Sequence, residues 1–560
     1  MWLLVAVVLV TCHRLITLNK NQDNILSDST KIADGRAGKP IMLDTTTAAW
    51  KALADGKPDI ISAKTKLLYQ ATNYESRWLG DRAPTEFYFE LVNALKHVNN
   101  IGLLSSQYDL HKIEDDLKTF YGGNSESLDQ TSIELAISKK FFAFTTHLAN
   151  GRIKRPGHEK KIWKLSPQHN DGYEDVQRLA DLKDPSQFMS LVSAIKPQTE
   201  QYARLEKAYQ YYLKLDSATK GKFEHIRITK KIRPGSNDDV VPLIRDRIKV
   251  YNPDEKVDSN DTDSTLYDDN LVKAIQVFQE HHGLRPDGII GAKTIEYLNR
   301  SFKQRAAIIA LNMERIRWMP EKFSNHYIVV NIPEYKLRVF EDGKKEMEMN
   351  VVVGNPETPT PVFSDMLEHI VFSPTWTVPK SIIKDEIIPR LQEDPTYYSD
   401  RNYIFYKEKS EIDPLDERWD TAEVDPGDYI IVQQPGSDNA LGQVKFVMPN
   451  HLSIYLHDTP QKKLFKNYLR AYSHGCIRVE EPVKLALYLL RDHNQWNEKE
   501  IRKAMQLDRP TNVFLKDHYE VHLTYLTAWV DDDGNTHFRE DIYGHDRHQL
   551  WQLYPGGMEI

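Results

Sequence analysis

"YIVVNIPEYKLRVFEDGKKEMEMNVVVG", residues 327–354, is where the chain changes its period. Up to Pro320 apolar side chains recur every three to four residues, as on helices; beyond it they alternate. The stretch reads as strand, turn, strand, a hairpin at Asp342-Gly343 and a further strand whose Met347, Met349, Val351 and Val353 share one face. A looser segment follows from about Phe372 to Leu441, opening with "PTWTVPKSIIKDEIIPRL" (374–391). Strands resume at "VKFVMP" (444–449) and "LSIYLHD" (452–458). A helix is expected from near Glu481, with Pro482 in its first turn and a Val483, Leu487, Leu490 stripe. The tail "EVHLTYLTAWVDDDGNTHFREDIY" (520–543) reads as a hairpin around Asp533-Gly534.

Working back, the region from about Ile60 to Lys230 is helical in pattern. "TSIELAISKKFFAFTTHL" (131–148) places Ile133, Ile137, Phe141, Phe144 and Leu148 on one stripe, with Thr131 and Glu134 spaced as a capping box. Phe87, Leu91, Leu95 and Val98 repeat the pattern, as do Tyr202, Leu205, Tyr209 and Tyr212. No cluster of reactive side chains accompanies these stripes, so they read as a scaffold. Between about 240 and 300 lies a smaller unit: a short helix "VPLIRDRIKV", an Asp/Ser/Asn-rich loop, then "NLVKAIQVFQEHHGLRPDGIIGAKTIEYLN". There Leu271, Ile275 and Phe278 form one face, Gly283 ends the helix, Asp287-Gly288 turns the chain, and Gly291 to Leu298 begins another helix.

Length, at 560 residues, implies roughly three to four domains. The composition is that of a globular protein, with 40% hydrophobic and 28% charged residues. A net charge of −8 with no basic block gives nucleic acid no footprint. "MWLLVAVVLV" at the N-terminus is shorter than the ~20 residues that span a bilayer, yet suits the apolar core of an export signal. Leu9-Val10-Thr11-Cys12 resembles a lipoprotein cleavage box, although no Lys or Arg precedes the run. If Cys12 is removed or lipidated, Cys476 remains as the single free thiol of an exported protein, and such proteins pair their cysteines or avoid them.

That thiol lies in "RAYSHGCIRVEEP" (470–482). Strand parity puts Tyr455 and His457 on one face, and the loop after His457 is long enough to bring the "SHGC" turn back beside them. A free thiol titrates near ~8.5, and an imidazole within reach can take its proton and leave a strong nucleophile. Gly475 permits a tight approach of backbone to substrate. The amides of Gly475 and Cys476, with the Tyr455 hydroxyl, are candidate oxyanion donors, each worth ~3 kcal/mol in a transition state. This machinery suits acyl transfer through a thioester. His474 orients the loop, touches substrate or serves as a second base; Arg478 binds a carboxylate or fastens the loop. Trp376 stacks on substrate or anchors packing, and Ser473 is a turn residue or a substrate contact. A zinc site at His457, His474 and Cys476, with Asp458 beside them, is the competing chemistry, but the spacing matches no common metal motif. "GHDRH" (544–548) is a weaker metal lure of the same kind.

His457 followed by "SHGCIRV" (473–479) resembles the catalytic signature of the L,D-transpeptidases. "NMERIRWMP", "PTWTVPKSI" and "NALGQVKFVMPNHLSIYLHDTP" are similar to the large, scaffold-bearing Gram-negative members. Ala274, Phe278, Gln279, Gly283, Leu284, Asp287, Gly288, Gly291 and Thr294 resemble the small three-helix peptidoglycan-binding domain. The implied fold is an α+β multidomain protein. It has a signal or anchor at 1–20, a helical scaffold at 40–239 and a peptidoglycan-binding domain at 240–302. A mostly β catalytic domain follows at 325–505 with a lid-like insertion at 372–441, and a C-terminal β-hairpin extension at 506–560. The resemblance implies cysteine acyl transfer from a tetrapeptide stem, release of D-Ala and 3→3 cross-links, with Cys476 as nucleophile, His457 as base, and Tyr455 and Gly475 at the oxyanion. Arg478, His474, Trp376 and Ser473 are the expected substrate contacts. No cofactor or metal is expected, since the broken peptide bond supplies the acyl group. Expected partners are peptidoglycan stem peptides and glycan, with carbapenem-type β-lactams as inhibitors. The implied location is the periplasm or cell envelope, with membrane contact only through an N-terminal anchor. A hydrolytic L,D-carboxypeptidase using the same acyl-enzyme, and a non-catalytic wall-binding protein, are the alternatives.

Overall fold

The computed structural model describes residues 37–56, 59–122, 129–153, 163–164, 173–219, 224–251, 263–320, 322–398, 401–419 and 424–555. The N-terminal apolar run with Cys12, and most of the Asp/Ser/Asn-rich loop, lie outside the described residues. No helix among those described is long and apolar enough to cross a membrane. The chain divides into two compact units.

The first unit is helical, with one small sheet of β1 (Pro40–Met42) and β2 (Glu75–Gly80). Its long helix, Gln130–Asn150, buries Ile133, Ile137, Phe141, Phe144 and Leu148 as the stripe requires. The helix is not closed by a capping box: Asp129 is the N-cap and accepts from the Thr131 N–H. Glu134 is fully buried and caps the sheet instead. Its carboxylate accepts the N–H groups of Arg77 (2.5 Å), Trp78 (3.1 Å) and Leu79 (2.8 Å) and the Tyr69 hydroxyl (2.7 Å). A glutamate in the early turns of a helix can serve its own helix end or a neighbour; here three tertiary donors outcompete one local one.

The second unit holds the smaller helical module and the β domain. The module is built on Val241–Tyr251, Asp269–His281 and Ala292–Leu298, and its core starts earlier than the pattern suggested. Ile226 and Ile232 are buried in it, and Ile232 bridges Ile290. Gly288 adopts φ +69°, and the turn is held by Gln279, whose Oε1 accepts the Gly288 N–H while its Nε2 donates to the Ile289 carbonyl.

β3 (Trp163–Lys164), β4 (His326–Asn331), β5 (Lys336–Glu341), β6 (Lys344–Gly354) and β7 (Val362–Phe372) belong to one ten-stranded sheet with β12 (Val444–Val447), β13 (Leu456–His457), β14 (Ala471–Ser473), β15 (Ile477–Val479) and β16 (Thr511–Thr524). The order β12-β13-β15-β6-β5-β4-β16-β7 closes on itself because β12 also pairs with β7. The Asp342-Gly343 hairpin has positive φ at both residues, the twist that two-residue hairpins favour. Two expectations are corrected here. The segment 511–524 is no extension: β16 runs parallel to β4 and antiparallel to β7 inside the sheet. Only β17 (Ala528–Val530) and β18 (Thr536–Phe538) form the hairpin, and a helix, His545–Leu553, follows. In the helix Pro482–Leu489 the buried stripe is Leu485, Ala486 and Leu489, while Leu487 faces outward.

The insertion has its own sheet and core. β8 (Trp376–Thr377), β9 (Tyr403–Lys407), β10 (Ser410–Ile412) and β11 (Tyr429–Gln433) are ordered β10-β9-β11-β8. Ile383, Leu391, Phe405, Trp419 and Ile431 are buried together beneath them. Replacing Glu134 by alanine is expected to strand three buried amides. At ~1–3 kcal/mol for each unsatisfied donor, the first unit should lose at least about 3 kcal/mol, read as a lowered midpoint in denaturant titration.

Candidate active site

β13 and β15 are parallel neighbours, with Leu456 opposite Ile477 and His457 opposite Arg478. One residue back, Tyr455 lies opposite Cys476, and the Ile477 N–H bonds the Tyr455 carbonyl at 3.1 Å. Directly paired residues point to the same side, so Tyr455, His457, Cys476 and Arg478 share one face. Leu456, Ile477 and Val479 fill the opposite, buried one. His457 is one diagonal step from the thiol, a spacing of ~7–8 Å that long side chains bridge.

The turn that presents Cys476 is braced from several directions. Gly475 has φ +106°, closed to ordinary side chains. Its carbonyl accepts the Thr360 hydroxyl (2.8 Å), and its N–H donates to the Ser473 Oγ (3.2 Å). The Ser473 hydroxyl in turn donates to the Cys476 carbonyl at 2.6 Å. Ser473 is buried and its hydroxyl is engaged within the turn, which corrects its assignment as a substrate contact. Behind it, the Thr360 N–H donates to the Tyr543 Oη, whose own O–H donates to the Gly354 carbonyl, so the C-terminal segment supports the loop that supports the turn.

Cys476 is a free, half-buried thiol. Its Sγ lies 3.6 Å from the Ser453 carbonyl, and the Tyr455 amide and phenol stand close enough to favour the thiolate. Burial pushes the thiol pKa up; the Tyr455 donors and the charges of Lys445 and Arg478 pull the other way. The buried His457 imidazole is held neutral, its pKa pushed down to about 3 by burial and then by the Arg478 charge. Its Nδ1 lies 2.5 Å from the Asp458 carbonyl; the thiol's hydrogen bond runs to the Ser453 carbonyl rather than to the ring. Direct transfer of the proton to His457 therefore needs a shift of side chains.

The other expected residues are spread around this face. Trp376, at the root of the insertion, lies close enough to the Tyr455 phenol to lower its pKa slightly against the rise that burial imposes. His474 is exposed and paired with Glu386 of the insertion at 2.7 Å, so the insertion touches the turn two residues from the sulfur. The Arg478 Nη1 donates to the Gln461 side chain at 2.7 Å. Asp458 accepts from Lys462 and from the Gln443 N–H (2.9 Å), which occupies the carboxylate considered for zinc. Among the described residues no three His, Cys, Asp or Glu side chains are grouped to hold a metal ion. Asp546 of the "GHDRH" stretch pairs with Arg315 at 2.7 Å. Sequence reading missed Lys445 and Glu386. Lys445 lies opposite His457, with its Nζ 4.2 Å from the Tyr455 ring centroid; a lone lysine between Val444 and Phe446 was its available signal.

Comparison with known proteins places three matches on the chain. Residues 325–513 match the "L,D-transpeptidase catalytic domain", 63–208 the "Scaffold domain" and 243–298 the "Putative peptidoglycan binding domain". A Haemophilus influenzae protein named "Putative L,D-transpeptidase" is 37% identical over 240 residues, 43% of this chain and 48% of that protein. The matched segment thus spans about half the length of that relative. Among solved structures, L,D-transpeptidase 3 from Mycobacterium tuberculosis is 16% identical, covering 35% of this chain and 61% of its own, with a TM-score of 0.18. An L,D-transpeptidase from Xylanimonas cellulosilytica is 14% identical, covering 53% and 99%, with a TM-score of 0.16.

Because burial raises the Cys476 pKa, the resting thiol is protonated at neutral pH. Its alkylation by iodoacetamide should climb with pH to a midpoint above the ~8.5 of a free cysteine. Tyr455→Phe, which removes a donor to the sulfur, should move that midpoint higher still in a mass-spectrometric pH series.

Proposed function

Since this chain carries an L,D-transpeptidase catalytic domain together with a scaffold domain and a module matching the peptidoglycan-binding model, we propose that it cross-links peptidoglycan through a thioester on Cys476. The observation that carries this reading is the shared face on which Cys476 lies opposite Tyr455 and diagonal to His457. The sulfur attacks the carbonyl that joins the third residue of a tetrapeptide stem to its terminal D-Ala. Negative charge gathers on the carbonyl oxygen, to which the Cys476 amide and the Tyr455 hydroxyl donate. The carbon–nitrogen bond breaks, and D-Ala leaves as an amine carrying the proton that His457 has relayed from the thiol. The side-chain amine of a second stem then attacks the thioester, gives its proton to His457 and releases the sulfur, completing a 3→3 link.

In this reading the Gly475 amide becomes a third oxyanion donor only when Ser473 Oγ releases it. Arg478 and Trp376 face the donor stem, and His474 stays with the turn that Glu386 holds. The insertion caps the groove. Carbapenem-type β-lactams acylate the same thiol, because a strained lactam is also an acyl donor. The cell envelope is the compartment where such a substrate is met.

Mixing the full chain with a disaccharide-tetrapeptide should yield free D-Ala and a covalent adduct on Cys476 by intact mass, absent in Cys476→Ser. A protein that binds sacculi but forms no adduct would leave only the wall-binding reading. Release of free tripeptide without transfer to an amine would make it an L,D-carboxypeptidase. Limited proteolysis with and without a carbapenem should show protection within 372–441. Unchanged cleavage there would remove the capping role.

A further inference from the structure

We propose that Lys445 is the counter-cation of the Cys476 thiolate, a catalytic residue outside the Tyr-His and Ser-His-Gly-Cys motifs; this rests on Cys476 being the nucleophile. The register carries the argument. Lys445 on β12 pairs with His457 on β13, and His457 pairs with Arg478 on β15, so the three form one row on the face that also holds Tyr455 and Cys476. Lys445 does not extend away from that face. Its ammonium lies 4.2 Å from the Tyr455 ring centroid, and Tyr455 lies opposite Cys476 in the register. The two residues flanking it on the strand, Val444 and Phe446, are buried in the core. Among the described residues no carboxylate lies within ion-pairing distance of this ammonium.

A half-buried lysine without an anion is an expensive choice for a strand, and it calls for a negative charge that arrives later. The charged and titratable groups around the face leave one candidate. His369 on β7 and His457 on β13 are imidazoles whose pKa values burial lowers, and Arg478 on β15 is a second cation. His474 in the turn is already matched with Glu386 of the insertion. The Tyr455 phenol is held protonated, since burial and the neighbouring thiol both raise its pKa. Cys476 is the group left to become an anion, and its charge is the influence that opposes burial at Lys445. A neutral imidazole can relay a proton but offers no standing positive charge, so the ammonium supplies it. The proton of the resting thiol passes to solvent or, during turnover, to the leaving amine.

The test is the pH profile of Cys476 alkylation in the full chain, followed by intact mass, for wild type, Lys445→Met and Lys445→Arg. An opposite charge within ~4–6 Å moves a pKa by about 1–3 units. Lys445→Met should therefore raise the midpoint by about one unit and slow alkylation at pH 7 about tenfold. Lys445→Arg should restore most of both. The rate ratio of anionic iodoacetate to neutral iodoacetamide should also fall in Lys445→Met, which a packing defect alone would not produce. A profile that superimposes on wild type, or an arginine variant as impaired as the methionine one, overturns the proposal. If Lys445→Met does not fold, Lys445→Gln takes its place under the same criteria. Adduct formation with the disaccharide-tetrapeptide separates the two readings. An unshifted profile with the adduct intact sinks this inference alone. A shifted profile without the adduct sinks the transpeptidase reading and leaves the ion pair standing.

Discussion

The pairing of β13 with β15 is the constraint from which the site follows. Two short parallel strands, joined through Leu456 and Ile477 on the buried side, set four polar side chains on the other. A slip of one residue in that register would turn Cys476 into the core and Ile477 out to the polar face. The register is therefore secured on both flanks: β12 pairs with β13, and β6 pairs with β15. The SHGC turn needs further support, because a positive φ at Gly475 and a buried Ser473 do not persist without partners. Thr360 and the Ser473 hydroxyl supply them.

Electrostatically the face is one-sided. Lys445 and Arg478 flank an imidazole kept neutral, and the nearest carboxylates are engaged elsewhere, Asp458 with Lys462 and Glu386 with His474. Such a face disfavours imidazolium and favours any group that can become negative. The thiol is protonated at rest because burial outweighs these charges. Ionisation of the thiol is then tied to how the donors and cations around it reorganise. The insertion takes part in that network through Glu386 on His474.

Local information in the sequence went far. Period, Asp-Gly turns and strand parity are short-range signals, and they located the hairpins, the helical stripes and the Tyr455–His457 face. Parity reaches two residues and needs no partner strand. What escaped was non-local. β16 looked like a tail because its neighbours β4 and β7 lie far upstream, and nothing within 511–524 names them. Glu134 looked like a cap because the amides it serves come from another element. Lys445 was unremarkable until β12 was laid beside β13. The Leu487 error is of another kind: two stripes compete on a short helix, and tertiary packing selected the one through Leu485 and Leu489.

The placement of β16 and Tyr543 also bears on when the protein matures. The barrel cannot close until residues 511–524 slot between strands made long before, and the loop under Cys476 gains a further prop only from residue 543. Until then the Cys476 turn has Thr360 and Ser473 but not the Tyr543 prop behind them, and the sheet stays open along one seam. Long-range pairing of this sort is slow to form. The Cys476 turn thus takes its final form as a late event of folding, after residues 511–543 have joined the sheet and the loop.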